Sequence, residues 1–164
     1  MVKVVLTGSS GQLGKTLIET KPKSINLISP NRSEIDLSNP DKSIQYLEKI
    51  NPEWIINAAA YTNVDKAEKE EAIAFCINGK APGVFANFLN NSHGRLLQIS
   101  TDFVFDGRQK TPYYYYDKPN PINIYGKSKL FGEKEVLKFK KNFIIRTSWL
   151  YSPYGKNFLK TMLR

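Results

Sequence analysis

The sequence predicts an α/β fold in which helices cover both faces of a doubly wound parallel sheet. Short runs rich in Val and Ile alternate along the chain with segments of helix length. That alternation is typical of parallel strands joined by crossover helices. A Gly-x-x-Gly-x-x-Gly motif follows the first apolar run and opens the first helical segment. The 164 residues suffice for one domain with a hydrophobic core.

Six apolar runs are predicted strands: residues 2–6, 25–29, 33–37, 54–58, 95–100 and 142–147. Five segments are predicted helices: residues 11–20, 40–50, 64–89, 123–140 and the short amphipathic stretch 157–164. We expect the helix over 64–89 to be interrupted near Gly79 or Pro82. A sheet order of 3-2-1-4-5-6 would place a ligand beyond the carboxyl ends of the strands.

Composition excludes several classes of function. A net charge of +9 could indicate a polyanionic partner, but the lysines are spread over almost every segment. We therefore expect solvated basic faces and no nucleic-acid partner. No apolar run approaches the roughly 20 residues that cross a bilayer, so we expect no membrane span. Cys76 is the only cysteine, which suits a reducing, cytoplasmic location, and we expect no metal site.

The glycine motif predicts a dinucleotide site. Gly8 permits a tight turn out of the first strand, and Gly11 lets the backbone approach a pyrophosphate at the helix N-terminus. Gly14 allows close packing of helix on sheet. The second strand ends without the carboxylate that usually binds the adenosine ribose, and Arg32 lies nearby. This favours the 2′-phosphate of NADPH, with NADH as the alternative.

Tyr125 and Lys129 are four residues apart and so share one helix face. The lysine ammonium would lower the pKa of the tyrosine, which could then donate a proton to a carbonyl oxygen as hydride reaches the carbon. Lys129 could also bind the nicotinamide ribose. Such a pair often arises by chance on a surface. Its context favours a site, because Thr101 and Asp102 end the fifth predicted strand beside the same crevice.

Small residues leave the fourth predicted strand at Ala58, Ala59 and Ala60, where the backbone would pass close to a cofactor. We expect Thr101 to bind a substrate carbonyl and Asp102 to orient the loop and the substrate. Three strand ends and one helix therefore converge on one predicted site.

Five segments together resemble the dTDP-4-dehydrorhamnose reductases, which are extended short-chain dehydrogenase/reductases with a Rossmann fold. The resemblance rests on residues 7–14, 57–68, 100–107, 121–129 and 146–151. It implies NADPH- or NADH-dependent reduction of the 4-keto group of a dTDP-linked 6-deoxy sugar to dTDP-L-rhamnose, which serves surface polysaccharide such as O-antigen.

The resemblance also implies residue roles. The catalytic residues would be Thr101, Tyr125 and Lys129. The cofactor contacts would be Gly8, Gly11, Gln12, Leu13, Asp36, Leu37, Ala58, Ala59 and Ala60, joined by Arg32, Tyr125 and Lys129. The substrate contacts would be Thr101, Asp102, Phe103 and Trp149. Asn78 would support the site from its helix.

The chain departs from the family in several respects, among them residue 103, the run of four tyrosines at 113–116, the glycines at 79 and 83, and length. Phe103 stands where the family usually has Tyr, and family members are nearly twice as long. We expect residues 1–151 to form the cofactor-binding domain with the catalytic residues, and 152–164 to begin a substrate-binding region. The chain alone should bind NADPH but turn over weakly or not at all unless a second copy or a partner completes the substrate site.

Two other functions fit the same fold. One is a non-catalytic dinucleotide-binding subunit similar to the regulatory subunit of methionine adenosyltransferase, which the shorter chain favours. The retained Thr101, Tyr125 and Lys129 favour an enzyme instead. The other is an epimerase or dehydratase of nucleotide sugars, which fits residues 100–107 less well.

Overall fold

A computed structural model describes residues 1–163, and it contains a five-stranded parallel sheet. The strands are β1 (Val2–Thr7), β2 (Ile25–Ile28), β3 (Trp54–Asn57), β4 (Arg95–Thr101) and β5 (Phe143–Thr147). Their order is β2-β1-β3-β4-β5, and every neighbouring pair is parallel. The chain first extends the sheet to one side of β1 and then to the other. This reversal opens a crevice at the carboxyl ends of β1 and β3.

The connections between the strands are helical. The helices are α1 (Gln12–Thr20), α2 (Pro40–Ile50), α3 (Val64–Ala67), α4 (Glu71–Phe75), α5 (Ala81–Asn91), α6 (Ile124–Leu137) and α7 (Phe158–Met162). A π-helical turn, Cys76–Lys80, joins α4 to α5, and a 3₁₀ turn, Asp102–Val104, follows β4. The core lies between the sheet and these helices. It includes Val5, Ile55 and Leu96 from the strands with Leu47 and Phe85 from α2 and α5.

The predicted strand over residues 33–37 is wrong, and with it the six-stranded order. Asn31 explains the difference, because its side chain accepts hydrogen bonds from the backbone N–H groups of Ser33 and Glu34. Its carbonyl also accepts from the N–H of Ile35. Local bonds of this kind satisfy the backbone in a turn and compete with a sheet. Ile35 and Leu37 still join the core, but from a loop.

The predicted helix over 64–89 is divided in two places. The interruption expected near Gly79 is the π-helical turn, whereas the break between α3 and α4 was not predicted. The glycines there allow close packing against α6. A Cβ at Gly79 would overlap the Phe131 ring, and one at Gly132 would overlap the carbonyl oxygen of Asn78. The π-helical turn and α6 therefore approach at a distance that glycine permits and a larger residue does not.

The continuous helical stretch Glu71–Asn91 is also long and apolar enough to cross a membrane, with a mean hydropathy of 1.2. Its apolar residues have another explanation in the fold. Ala81, Phe85, Ala86 and Leu89 are buried against the sheet and neighbouring helices. The stretch is thus the core helix of this domain, and its hydropathy follows from that position.

A buried ion pair joins α6 to β5. The Arg146 guanidinium donates to both carboxylate oxygens of Glu133, at 2.9 and 2.6 Å, and the Glu133 side chain is only 3% exposed. The Ser100 hydroxyl donates to the same carboxylate at 2.5 Å. The buried Glu133 carboxylate is therefore paired with a cation from β5 and with a hydroxyl donor from β4.

The segment after β5 folds back onto α1. The Tyr154 hydroxyl donates to Glu19 at 2.8 Å, and the Lys15 ammonium lies 5.5 Å from the centre of the Tyr154 ring. Asn157 caps α7 by accepting from the N–H of Lys160. The helix predicted to end at residue 164 and the region predicted over 152–164 both include Arg164, which lies outside the described residues. The domain boundary after residue 151 stays a prediction.

We expect Gly132→Ala to destabilise the protein by about 1–3 kcal/mol, because the added methyl group overlaps the Asn78 backbone. Ala has the higher helix propensity, so a gain of about 1 kcal/mol would be expected if packing were unimportant. Urea unfolding measures the difference. Lys134→Ala, at an exposed position of the same helix, is the control and should stay within about 0.5 kcal/mol of wild type.

We expect Arg146→Met to destabilise the protein by about 3 kcal/mol, because it leaves the buried Glu133 carboxylate without its cation. Adding Glu133→Gln in the same chain should restore part of that loss, since the buried charge is then absent. A double-mutant cycle by chemical unfolding measures the coupling. Strictly additive losses would contradict a buried, coupled pair.

Candidate active site

The loop between β1 and α1 presents free backbone N–H groups. Gly8 has a φ of 73°, and a Cβ there would lie 2.6 Å from the backbone of Ala58 and Ala59. Gly11 caps α1 without a side-chain hydrogen bond, and the first turn of α1 has no acidic residue. A helix N-terminus left open in this way attracts an anion such as a diphosphate.

A cleft of about 690 Å³ extends from this loop to the start of α6. Nearly all the residues expected on the nicotinamide and substrate sides line it. They are Gly8, Gly11, Gln12, Leu13, Ala58, Ala59, Ala60, Thr101, Asp102, Phe103, Tyr125, Lys129 and Trp149. The structure therefore brings these sequence-selected residues to one place at the carboxyl end of the sheet.

A second cleft of about 510 Å³ lies on the other side of the loop. It contains Arg32, Asp36 and Leu37, the residues expected near the adenosine. Gly8, Ser10, Ala59 and Ala60 line both clefts. The two clefts thus meet at the glycine loop and form one groove that crosses the sheet end.

Arg32 and Asp36 form an exposed pair in the second cleft. Their Nε and Oδ1 atoms are 3.7 Å apart. Hydrogen bonds from Ser38 chiefly lower the pKa of Asp36, and Arg32 lowers it further. The Arg32 guanidinium remains 78% exposed, so it can turn towards an added anion.

Asn123 determines where α6 begins. Its side chain accepts from the N–H of Gly126 at 2.7 Å, which is an N-cap interaction. Gly126 then packs so closely on the carbonyl of Phe103 that a Cβ would overlap it. Tyr125 consequently lies in the first turn of α6, beside the loop that follows β4. The Phe103 and Tyr125 rings meet edge to face, 5.5 Å apart.

The expected lowering of the Tyr125 pKa by Lys129 is wrong. Burial raises the pKa of Tyr125, and Asp102 adds to the rise, while a hydrogen bond with Thr101 opposes it. Removal from water disfavours the charged phenolate, and here that cost is larger than the stabilising contacts. At neutral pH Tyr125 therefore retains its proton, the form needed to protonate a carbonyl oxygen.

Lys129 is 4% exposed, and its ammonium donates to the carbonyl oxygen of Ile99 at 2.6 Å. Burial lowers the pKa of Lys129 to about 8, and the Glu133 carboxylate opposes that shift. The side chain is thus mostly charged at pH 7 and loses its charge as the pH rises through 8. The Lys129 ammonium is therefore bound to the backbone of β4, although the side chain lines the same cleft as the Tyr125 phenol.

Thr101 and Asp102 form a local unit at the end of β4. The Thr101 hydroxyl donates to the Asp102 carboxylate at 3.0 Å and accepts from the N–H of Phe103 at 3.2 Å. Trp149 lies opposite with a φ of 51°, a left-handed conformation unusual for a bulky residue. Its ring is 72% exposed and meets Phe158 edge to face at 4.9 Å. These side chains border the open mouth of the cleft.

Sequence reasoning missed the side-chain contacts of Gln12. Its amide oxygen accepts from Ser152 at 3.2 Å and from Asn157 at 3.0 Å. The glycine loop is therefore attached to the segment that follows β5. Nothing in a sequence pattern connects residues so far apart along the chain.

Asn78 joins the two walls of the cleft. Its side chain accepts from the backbone N–H of Tyr61 at 2.9 Å, and it donates to the Ser128 hydroxyl at 3.0 Å. The loop after β3 is thereby held against α6. Within residues 1–163, no group of three or more His, Cys, Asp or Glu residues could hold a metal ion.

Comparison with known proteins yields similar proteins over the whole chain. A dTDP-4-dehydrorhamnose reductase of Burkholderia thailandensis is 40% identical over 99% of this chain and 55% of its own length. The spore coat polysaccharide biosynthesis protein SpsK of Bacillus subtilis is 37% identical over 100% of this chain and 59% of its own. The chain spans a little over half the length of these relatives.

A solved structure has the same fold. The dTDP-4-dehydrorhamnose reductase of Bacillus anthracis, crystallised in complex with NADP, superposes with a TM-score of 0.94 and is 42% identical. The alignment covers 99% of this chain and 59% of the other. The family described as RmlD substrate binding domain matches residues 2–164. With the glycine loop and the groove in the expected places, a match of that extent shows that this chain belongs to the RmlD substrate binding domain family.

Proposed function

We propose that this chain binds NADPH and supplies the proton donor for reduction of the 4-keto group of a dTDP-linked 6-deoxy sugar, giving dTDP-L-rhamnose. One observation carries the proposal. A protonated phenol and a buried ammonium line the same cleft as a glycine loop suited to a diphosphate. Two of the similar proteins, those of Burkholderia thailandensis and Bacillus anthracis, are named dTDP-4-dehydrorhamnose reductases. They favour this function over a regulatory dinucleotide-binding subunit.

The groove fits a dinucleotide at three points. The open N-terminus of α1 suits the pyrophosphate, as the absence of a capping side chain at Gly11 allows. Arg32, Asp36 and Leu37 would bind the adenosine end, with Arg32 facing a 2′-phosphate. Ala58, Ala59 and Ala60 would pass along the cofactor, and Lys129 would bind the nicotinamide ribose. NADH would use the same groove without the Arg32 contact.

Side chains of this chain would supply the proton and the hydrogen bonds that the reduction needs. Bound NADPH would supply the hydride that forms the new C–H bond at C4 of the sugar. Tyr125 would donate its proton to the carbonyl oxygen, which becomes the hydroxyl, and Thr101 would orient that oxygen by a hydrogen bond. A proton from solvent then restores the phenol.

The sugar nucleotide would enter at the open mouth bordered by Asp102, Phe103 and Trp149. Apolar side chains are exposed on this side of the domain, at Trp149, Tyr151, Phe158 and Met162. We propose that further protein, from a second copy or a partner, covers them and completes the sugar site. A cytoplasmic location agrees with the single cysteine.

Tyr125→Phe should leave NADPH affinity within about twofold of wild type, because the ring that lines the cofactor cleft remains and only the proton-donating hydroxyl is lost. Where a second copy or a partner completes the sugar site, reduction of the dTDP-4-keto sugar should fall by about 10²–10⁴-fold. Calorimetry measures the first quantity and nicotinamide absorbance the second. Loss of NADPH binding in this variant would contradict the role of Tyr125, and absence of NADPH and NADH binding by the wild type would refute the proposed function.

Arg32→Ala should weaken NADPH binding roughly tenfold, because a charge-assisted hydrogen bond to the 2′-phosphate is lost. NADH lacks that phosphate, so its affinity should stay unchanged and serves as the matched control. Calorimetric titration of both cofactors measures the ratio. Equal weakening for the two cofactors would show that Arg32 acts on the fold of the loop and not on the phosphate.

A further inference from the structure

Buried polar side chains form a hydrogen-bonded chain from the carboxyl ends of β1 and β3 to the middle of β4. The Thr7 hydroxyl of β1 donates to the amide oxygen of Asn57 in β3 at 2.5 Å. The Asn57 amide donates to the Gln98 side-chain oxygen in β4 at 2.7 Å. The Gln98 amide then donates to the backbone carbonyl of Ile99 at 2.7 Å. Thr7, Asn57 and Gln98 are each no more than 2% exposed.

This series of hydrogen bonds ends at the Ile99 carbonyl oxygen, which also accepts from Lys129. The pairing of β3 with β4 stops at Asn57 and Gln98, one residue before Ile99. The Ile99 carbonyl oxygen has two lone pairs and accepts one hydrogen bond from Gln98 and a second from the Lys129 ammonium. Two side-chain nitrogens therefore contact one backbone oxygen where β3 ends beside β4, although β4 continues to pair with β5 through Thr101.

These hydrogen bonds permit only one orientation of the Asn57 and Gln98 side-chain amides. Thr7 donates to Asn57, so the Asn57 oxygen must face Thr7 and its NH₂ group must face Gln98. The Gln98 oxygen is then used by Asn57, and its NH₂ group must face Ile99. Reversing Gln98 would oppose two NH₂ groups and two oxygens inside the protein, where unpaired polar groups are costly.

We propose that Gln98 is a positioning residue for Lys129: its amide holds the Ile99 carbonyl in the direction from which that carbonyl binds the ammonium. The effect of Gln98 on NADPH binding rests on the proposed function. Its effect on Lys129 rests on the hydrogen bonds that join Thr7, Asn57, Gln98 and Ile99. Gln98 is not among the residues that line the cleft, and it reaches Lys129 through the Ile99 carbonyl. The chain also connects Lys129 to Thr7, the last residue of β1 before the glycine loop.

Other titratable groups lie near the same amine or line the same cleft, and they belong in any measurement on it. Glu133 lies one turn further along α6 and raises the pKa of Lys129. Tyr125, also on α6, and Asp102, at the end of β4, line the cleft with it. None of them donates a hydrogen bond to the Ile99 carbonyl in the described structure, which leaves Gln98 as the partner that shares this acceptor.

The first test is Gln98→Leu, which removes the amide and keeps a similar volume. The probe is the ¹⁵Nζ resonance of Lys129 at pH 7, identified by its loss in Lys129→Met. Slow exchange of its protons reports the hydrogen bond to Ile99. We expect the signal to broaden or vanish in Gln98→Leu and NADPH affinity to fall about tenfold.

Leu96→Ala is the matched control. Leu96 is fully buried, two residues earlier on the same face of β4, so its truncation lowers stability without touching the hydrogen-bonded chain. The Lys129 signal and NADPH affinity should survive this change. Equal loss in both variants would reduce Gln98 to an ordinary structural residue. An unaltered Lys129 signal in Gln98→Leu would overturn the proposal.

Gln98→Glu provides a second test should the leucine variant fail to fold. This change keeps the oxygen that accepts from Asn57 but replaces the donor facing Ile99 by a carboxylate beside the ammonium. An opposite charge favours the charged amine, so the Lys129 titration should move upward from about 8 by about one unit or more. An unchanged titration would show that position 98 does not communicate with the amine.

The two proposals fail in different ways. If the wild type does not bind NADPH, the proposed function is refuted, while the ¹⁵Nζ spectra still decide whether Gln98 positions Lys129. If the wild type binds NADPH and the spectra of the Gln98 variants match its own, only the present inference is lost.

Discussion

The close approach of three backbone segments at Gly8 is the constraint on which the groove depends. A side chain at Gly8 would lie 2.6 Å from the backbone after β3, and one at Gly14 would overlap the Gly8 carbonyl. With hydrogen in those places, the loop, the first helix and the end of β3 pack directly on one another. The N-terminus of α1 is thereby brought over the sheet end, where its free N–H groups face the groove. Every other residue of the site is placed relative to that arrangement.

Features that depend on neighbours in the chain were predictable from sequence. The glycine spacing, the helix beginning near residue 123 and five of the six predicted strands follow from such local patterns. The missing strand follows from local chemistry too, since the Asn31 side chain supplies hydrogen bonds that a strand would have provided. The contacts of Gln12 with Asn157 and of Glu133 with Arg146 depend on tertiary packing, and no pattern marks them.

At the candidate site, the spacing of residues in the sequence predicted where two side chains lie but not how their pKa values shift. Four-residue spacing correctly placed Tyr125 and Lys129 in one cleft, because helix geometry is local. It did not predict their protonation behaviour, because burial depends on the elements packed around them. Burial raises the pKa of the phenol and lowers that of the amine, so each group moves towards its neutral form. For Tyr125 that is the form that can donate a proton.

A buried lysine explains why polar groups occupy the sheet end at all. An ammonium removed from water is costly unless a fixed acceptor compensates for the lost hydration. The Ile99 carbonyl is such an acceptor because it lies just beyond the β3 pairing. On its other side β4 pairs with β5, where Ile99 lies opposite Ile145, so the strand fixes the backbone while the Gln98 amide shares the carbonyl oxygen with the lysine. Apolar side chains in place of Asn57 and Gln98 would suit a core, but they would leave the carbonyl to the lysine alone. The buried amides are therefore best understood as a consequence of burying a cation at this end of the sheet.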